Sequence, residues 1–311
     1  MKKCAVIVNP TSGKGVALKK IKQIRSVLDE YNYKYQMYIT EYVGHAKEIV
    51  TNLEKVDLVI SIGGDGTFNE VMQGNFQRED HLLLTHIPFG TANDVGAMYG
   101  YTKNIIKNLR MALDGKVKKI DICTINGVPF TYCAAFGKLT NVSYETPKKL
   151  KKRFGYLAYL ITGLREINNK TKLYNITYTI DNETVIDKYS FFLISNANRI
   201  AGINNFYDNI YLDDDQFEVL FCNLTKKKDM IKAILHLSKN DITKAPGFYF
   251  HKTNNLKIEF DALPTKGWSI DGEELKDKSL TYEIKIVHNV KVLLPEKRLD
   301  KLFLEKEHDR T

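Results

Sequence analysis

The chain has 311 residues and a hydrophobic share of 43%, enough for one large or two modest cores and too much for a disordered polypeptide. Its 46 Lys and Arg against 37 Asp and Glu leave a formal net charge of +9, which suits an anionic partner such as a nucleotide or an anionic membrane. The lysines are spread out without aromatic interleaving, which argues against nucleic acid, and apolar runs such as Tyr189 to Ser195 are strand-sized, which argues against a spanning helix.

Met1-Lys2-Lys3 precedes a short apolar patch that is too brief for a signal segment, so Ala5 to Val8 reads as the first strand of a cytoplasmic protein. Cys4, Cys123, Cys133 and Cys222 form no C-x-x-C pair and read as buried reduced thiols. The first strand ends in Asn9-Pro10-Thr11-Ser12-Gly13-Lys14-Gly15, and Val16 to Leu28 then has helical apolar spacing. The hydroxyls, glycines and Lys14 of this turn suit phosphate, although P-loop spacing is absent and a plain Pro/Gly connector is the competing reading. Lys34 to Ile39 is the next strand, and Gly44-His45-Ala46 opens a helix to about Lys55, with His45 a hydrogen-bonding residue at its start.

Leu58 to Ile60 leads into Ser61-Ile62-Gly63-Gly64-Asp65-Gly66-Thr67-Phe68-Asn69-Glu70-Val71, which reads as strand, glycine turn and helix start. Its three glycines are expected to take positive φ and let a ligand approach the backbone, and N–H groups at a helix start suit phosphate. Asp65 beside a phosphate would be repulsive without a cation, so it reads as a Mg²⁺ partner; an ordinary turn with a solvated carboxylate is the alternative. Leu82 to Ile87 is another buried strand, ending in Pro88-Phe89-Gly90-Thr91-Ala92-Asn93-Asp94, where Asn93 or Asp94 can cap the following helix. Repeated strand–turn–helix units, with the informative loops at strand C-terminal ends, form the ligand-binding pattern of an open α/β sheet.

From Lys116 onward the texture becomes strand-rich. Expected strands are Lys116 to Thr124, Pro129 to Phe136, Leu173 to Ile180, Tyr189 to Ile194, Phe217 to Cys222, Leu256 to Phe260, Leu280 to Val287 and Val290 to Leu294, with helices about Lys148 to Glu166 and Lys228 to His236. The division expected is an α/β domain over 1–120 and a mainly antiparallel β domain over 121–295, with the site in the cleft between them and the tail 296–311 packing back as a helix. Three groups stand out in this half. Tyr211-Leu212-Asp213-Asp214-Asp215-Gln216 is either a solvated turn or a hard-cation site. Ile270-Asp271-Gly272-Glu273 carries the Asp-Gly signal of a hairpin. Lys148, Lys149, Lys151, Lys152 and Arg153 precede aromatic and aliphatic residues, which fits an anionic lipid surface or an ordinary helix with one wet face.

Seven segments in order, N-P-T-S-G-K at Asn9 to Lys14, T-E-x-x-G-H-A at Thr40 to Ala46, G-G-D-G-T-x-N-E-V at Gly63 to Val71, P-x-G-T-x-N-D at Pro88 to Asp94, L-T-x-V-S-Y-E-T-P at Leu139 to Pro147, L-D-D at Leu212 to Asp214 and I-D-G-E at Ile270 to Glu273, resemble the soluble bacterial diacylglycerol kinases. The resemblance implies an α/β nucleotide domain like those of NAD kinases and 6-phosphofructokinases, plus a β-sandwich domain. It implies ATP contacts at Asn9, Pro10, Thr11, Ser12, Gly13, Thr40, Gly63, Gly64, Asp65, Gly66, Thr67, Phe68, Asn69 and Thr91. Glu273 is implied as the general base, Asp121 as a further functional carboxylate, and Asp65 as the partner of Mg²⁺–ATP. A structural Mg²⁺ is implied at the L-D-D turn, held by the Asp214 side chain and by Tyr211 and Gln216 through carbonyls. Asp215 stands where the family usually has glycine, and Asp tolerates left-handed backbone better than most residues.

The activity so implied is ATP-dependent phosphorylation of diacylglycerol to phosphatidic acid, at the inner face of a membrane with an anionic phospholipid surface, by a homodimer. The alternatives are a kinase for phosphatidylglycerol, a sphingoid base or NAD, and a membrane-associated nucleotide sensor without catalysis.

Overall fold

The computed structural model describes residues 1–137, 172–200, 202–204, 206–226, 228–229, 232, 242–276 and 278–304. The chain forms two compact units, one of Met1–Ile122, Tyr211–Asp214 and Val287–Thr311, the other of Cys123–Ile210 and Asp215–Ile286.

The first unit is built on strands β1 (Lys2–Val8), β2 (Tyr33–Ile39), β3 (Leu58–Gly63) and β4 (Leu83–Pro88), parallel in the order β2-β1-β3-β4. Every residue of β3 is buried, as expected of a parallel strand covered on both faces. The helices are α1 (Val16–Lys19), α2 (Ile21–Glu30), α3 (His45–Thr51), α4 (Asp65–Phe76), α5 (Asp94–Met98) and α6 (Ile105–Leu113). The single helix expected over Val16 to Leu28 breaks at Lys20, after a 3-10 turn over Ser12–Gly15 whose last residue has left-handed backbone (φ 77°). α6, absent from the sequence expectations, starts at Asn104, whose side-chain oxygen accepts from the backbone N–H groups of Ile106 and Lys107.

The second unit comprises the end of β5 (Lys116–Ile125), then β6 (Val128–Phe130), β7 (Cys133–Gly137), β8 (Tyr174–Ile180), β9 (Glu183–Tyr189), β10 (Phe191–Ser195), β11 (Arg199–Ile200), β12 (Ile203–Asn204), β13 (Phe217–Cys222), β14 (Phe248–Thr253), β15 (Asn255–Phe260), β16 (Ser269–Ile270), β17 (Glu273–Glu274) and the first part of β18 (Thr281–Leu294), as far as Ile286. One layer runs β14-β13-β10-β7-β16-β17, and its neighbours pair antiparallel. The other contains β18-β15-β8-β9, also antiparallel. Phe136, Phe192 and Trp268 from the first layer meet Tyr174, Ile258 and Tyr282 from the second in one buried core. Truncating such an aromatic to Ala typically costs about 3–5 kcal/mol. An α/β unit followed by an antiparallel sandwich is the fold class that the sequence implies.

The boundaries differ from 120/121 and 295/296. β5 and β18 each have one end in either unit, and the C-terminal end of β18 returns to the first unit, where Val292 is the register partner of Leu84 of β4. Composition does not mark a boundary inside a continuous strand. The short segment Tyr211–Asp214 also belongs to the first unit, because Leu212 accepts from the Asp121 N–H (2.7 Å) and donates to the Leu302 carbonyl (2.8 Å). The two strands expected over Leu280 to Leu294 are one, continued through Asn289 at φ 63°. Pro129 to Phe136 divides into β6 and β7. β9 and β14 have no counterpart among the expected strands, and β9 is mostly exposed rather than alternating.

The tail enters a short helix, α7 (Leu299–Leu302), with Leu302 and Phe303 buried in the first unit. Within Leu139 to Pro147 the V-S-Y-E-T-P motif lies outside the described residues, as do the basic stretch Lys148 to Arg153, the helix expected over Lys148 to Glu166 and most of Lys228 to His236. Among the described residues no helix is long and apolar enough to cross a membrane.

Candidate functional site

In the first unit the parallel register sets the C-terminal ends of four strands side by side: Val8 pairs with Ile39 and Ile62, and Gly63 with Pro88. The loops that follow are therefore neighbours, and they are bonded to one another. The Asn9 amide donates to the Thr67 hydroxyl (3.0 Å), while its oxygen accepts from the N–H and hydroxyl of Thr11 (3.0 and 2.8 Å). Phe89 N–H donates to the Gly63 carbonyl (2.5 Å), and Thr40 N–H to the Val8 carbonyl (3.0 Å).

The glycines work differently from the sequence expectation. Gly63, Gly64 and Gly66 are not among the positive-φ residues; Gly64 is extended at φ −88°, ψ −179°. Gly63 and Gly64 are there for space. A Cβ on Gly63 would meet the Thr67 hydroxyl at 2.5 Å, and one on Gly90 would lie 2.6 Å from the Gly64 Cα. Side-chain-free backbones of the β3 and β4 loops thus touch. Left-handed backbone occurs instead at Gly13 (φ 55°), where a side chain would enter the Phe89 ring, and at Asn93 (φ 54°), which brackets the β4 loop by accepting from Gly90 N–H and donating to its carbonyl.

Asp65 starts α4, and its carboxylate accepts from the backbone N–H groups of Asp94 (3.0 Å) and Val95 (3.2 Å), at the start of α5. It is buried, and it ties the two loops together through charge-assisted bonds. Two of its roughly four acceptor positions are used in this way. Phe68 and Asn69, implied as nucleotide contacts, are both buried; Phe68 stacks on His86 with ring centroids 4.8 Å apart. Gly64 and Gly66 keep partial exposure, and Pro10, Ser12 and Gly13 do likewise, while Thr11 and Thr91 are exposed and Thr40 is buried. Lys14 lies in the 3-10 turn after β1.

Asp121 on β5 also belongs to the first unit. Its carboxylate lies 2.8 Å from Nδ1 of His288 on β18, a partner that sequence spacing does not reveal because 167 positions separate the two. At the L-D-D turn, Asp213 accepts from Leu304 N–H (2.9 Å), and Asp215 takes φ 60°. Asp215 therefore supplies the left-handed residue for which glycine is the usual choice, and the turn survives the substitution. Tyr211 and Asp214 fall in the first unit and Gln216 in the second. Among the described residues no group of three His, Cys, Asp or Glu side chains forms a metal cluster, so a hard cation here would rest on Asp214 and carbonyl oxygens, a donor set that suits Mg²⁺ or Ca²⁺.

Glu273 belongs to the second unit, on the short β16–β17 hairpin, where it is exposed and paired with Ile270. The residue before its glycine, Asp271, is buried and hydrogen-bonded to the bend at Thr131–Cys133. Neither that burial nor that of His86 can be read from the local sequence. Desolvation drives the His86 pKa down to about 3, so the ring is neutral at physiological pH.

The fold and these loops define a two-unit protein: a parallel α/β unit with a glycine-backbone cradle at its strand ends, and an antiparallel sandwich bearing a carboxylate hairpin. Comparison with known proteins narrows the class. A profile of the diacylglycerol kinase catalytic domain matches residues 3–125. A diacylglycerol kinase of Staphylococcus saprophyticus is 31% identical over 274 residues, covering 88% of this chain and 89% of the relative, and one of Staphylococcus epidermidis is 32% identical over 88% and 86%. A crystal structure of a diacylglycerol kinase from Bacillus anthracis str. Sterne superposes with a TM-score of 0.77 over 95% of this chain and 98% of that one; its 22% identity speaks for the fold alone. The chain belongs to the diacylglycerol kinase family.

Proposed function

We propose that this chain transfers the γ-phosphoryl group of ATP to the primary hydroxyl of diacylglycerol, giving phosphatidic acid and ADP. The observation that carries the reading is the mutual locking of the loops after β1, β3 and β4 into a cradle of backbone and hydroxyl groups, in a chain whose family is defined by this activity. Asn9, Pro10, Thr11, Ser12, Gly13, Lys14, Thr40, Gly63 to Asn69 and Thr91 supply the nucleotide side, with Phe68 and Asn69 acting from beneath as packing. Glu273 accepts the lipid hydroxyl proton as the oxygen attacks in line; a general base of this kind contributes about 10²–10⁴-fold. Positioning and electrostatics supply the remainder.

Mg²⁺ supplies charge neutralisation between the phosphate oxygens when bound with ATP. Asp65 is the carboxylate nearest in sequence to the cradle for that ion, and Asp214, Tyr211 and Gln216 would hold a second, structural one. Asp121, buried beside His288, acts as a further carboxylate of the site. The lipid stays in the bilayer, and the protein sits peripherally on the cytoplasmic face as a homodimer. Its net charge of +9 and the basic stretch Lys148 to Arg153 attract it to anionic phospholipid.

The test is phosphoryl transfer from radiolabelled ATP to diacylglycerol, phosphatidylglycerol, a sphingoid base and NAD, with the lipids in neutral or anionic vesicles. Label in phosphatidic acid, with faster turnover on anionic vesicles, is expected. Label in another acceptor overturns the substrate, and bound ATP without transfer indicates a sensor. Equal turnover on both vesicle types overturns the surface attraction.

A further inference from the structure

Between β16 and β17 the chain reverses through Asp271 (φ 49°) and Gly272 (φ 88°), and Ile270 pairs with Glu273 directly across the turn. Two left-handed residues match the twist of the flanking strands, and a solvated Asp at the first position would be sufficient for such a turn. Asp271 is not solvated: it is 5% exposed. Its Oδ2 accepts from the Thr131 N–H (2.6 Å) and hydroxyl (2.7 Å), and its Oδ1 from the N–H groups of Tyr132 and Cys133 (3.0 Å each). Its own N–H donates to the Cys133 carbonyl (2.8 Å).

One side chain therefore binds every residue of the bend that joins β6 to β7. Burying a carboxylate is costly, and burial is the largest influence raising the pKa of Asp271, ahead of the opposing hydrogen bonds. A hairpin that needed only to turn would not carry this cost. β7 is also the strand on which β16 pairs, at Ala134–Ile270 and Ala135–Ser269, so the hairpin is held both along its strand and at its turn. Glu273 is the first residue beyond the turn, exposed on a two-residue strand.

We infer that Asp271 is a positioning residue for Glu273: by clamping the Thr131–Cys133 bend, it sets where the hairpin presents the Glu273 carboxylate to the acceptor hydroxyl. This rests on Glu273 being the base. A base must lie within hydrogen-bond reach of the proton it takes, and displacement by about 1 Å can cost about 10²-fold.

The experiment compares steady-state kinetics of Asp271→Asn, Thr131→Val, Thr131→Ser, Glu273→Ala and the double variant Asp271→Asn/Glu273→Ala, each confirmed as folded. Asp271→Asn keeps the size but puts an NH₂ group against N–H groups that it cannot accept from. Its kcat falls about 10²-fold while the KM for ATP stays within about twofold. Thr131→Val removes one hydroxyl donor and loses about tenfold, and Thr131→Ser, which keeps the hydroxyl, retains most of that turnover. The double variant is no slower than Glu273→Ala, because the location of an absent carboxylate is immaterial. Wild-type turnover in Asp271→Asn, an additive loss in the double variant, or a raised KM for ATP at unchanged kcat overturns the positioning role. If Asp271→Asn does not fold, equal turnover in the two Thr131 variants overturns it. Near-normal activity of Glu273→Ala instead overturns the base assignment itself.

Discussion

The loops of the first unit and the hairpin of the second solve the same problem, holding polar groups still, by opposite means. The cradle after β1, β3 and β4 is held largely by backbone: two glycines in contact, a carbonyl–amide bond from Phe89 to Gly63, and Asn93 bracketing Gly90. The β16–β17 hairpin instead depends on one buried carboxylate that gathers four hydrogen bonds. A phosphate has many equivalent oxygens, so, under the proposed function, a wide cradle of backbone and hydroxyl groups suits it. A proton acceptor, the role proposed for Glu273, must meet one hydroxyl, so a single side chain on a braced turn suits that task.

The contrast can be broken at three points. The largest effect is expected at Glu273→Ala: turnover falls about 10²–10⁴-fold while ATP affinity, measured by calorimetric titration, stays nearly unchanged. Lost ATP affinity would show that the hairpin belongs to the nucleotide site as well. Next comes Gly90→Ala, whose Cβ would lie 2.6 Å from the Gly64 Cα and 2.9 Å from the Asn93 oxygen. It is expected to destabilise by about 1–3 kcal/mol in denaturant unfolding and to weaken ATP binding at least about tenfold. A variant with full stability and full ATP affinity would mean that the contact of the two loops is incidental.

The smallest effect concerns pH. His86 is neutral in the fold, with its pKa lowered from 6.5 to about 3 by burial. Its folded pKa lies below the unfolded one, so its contribution is fully present above pH 6.5 and is lost as pH falls toward 3, by at most about 1.4 kcal/mol per pH unit. Asp271 has the opposite sign: its folded pKa is raised, so its contribution is present below the ordinary carboxylate value and declines as pH rises through the folded pKa. His86→Leu should therefore flatten the fall in Tm between pH 6.5 and about 4 (the range where His86 matters most). An unchanged slope in thermal melts would place the acid sensitivity elsewhere.

The sequence made the first unit's strands and loops readable because parallel strands buried on both faces are continuous apolar runs, and Gly, Asn and hydroxyl residues cluster where they end. It misled on the reason for Gly63 and Gly64, since conformational freedom and close approach leave the same letter in the chain. It also left the boundary between the units unmarked, because β5 and β18 keep their strand character on either side of it.

By itself, the sequence determined the α/β-then-β order, the loops that make the cradle and the family to which the chain belongs; these are local patterns, repeated in order, that need no partner elsewhere in the chain. Only the tertiary structure decided that Asp65 ties the start of α5, that Asp121 meets His288, and that Asp271 is a buried clamp rather than a solvated turn residue. A carboxylate reads the same in sequence whether water or backbone N–H groups surround it. Its role is set by burial and by donors up to 167 positions away, and the fold alone brings those together.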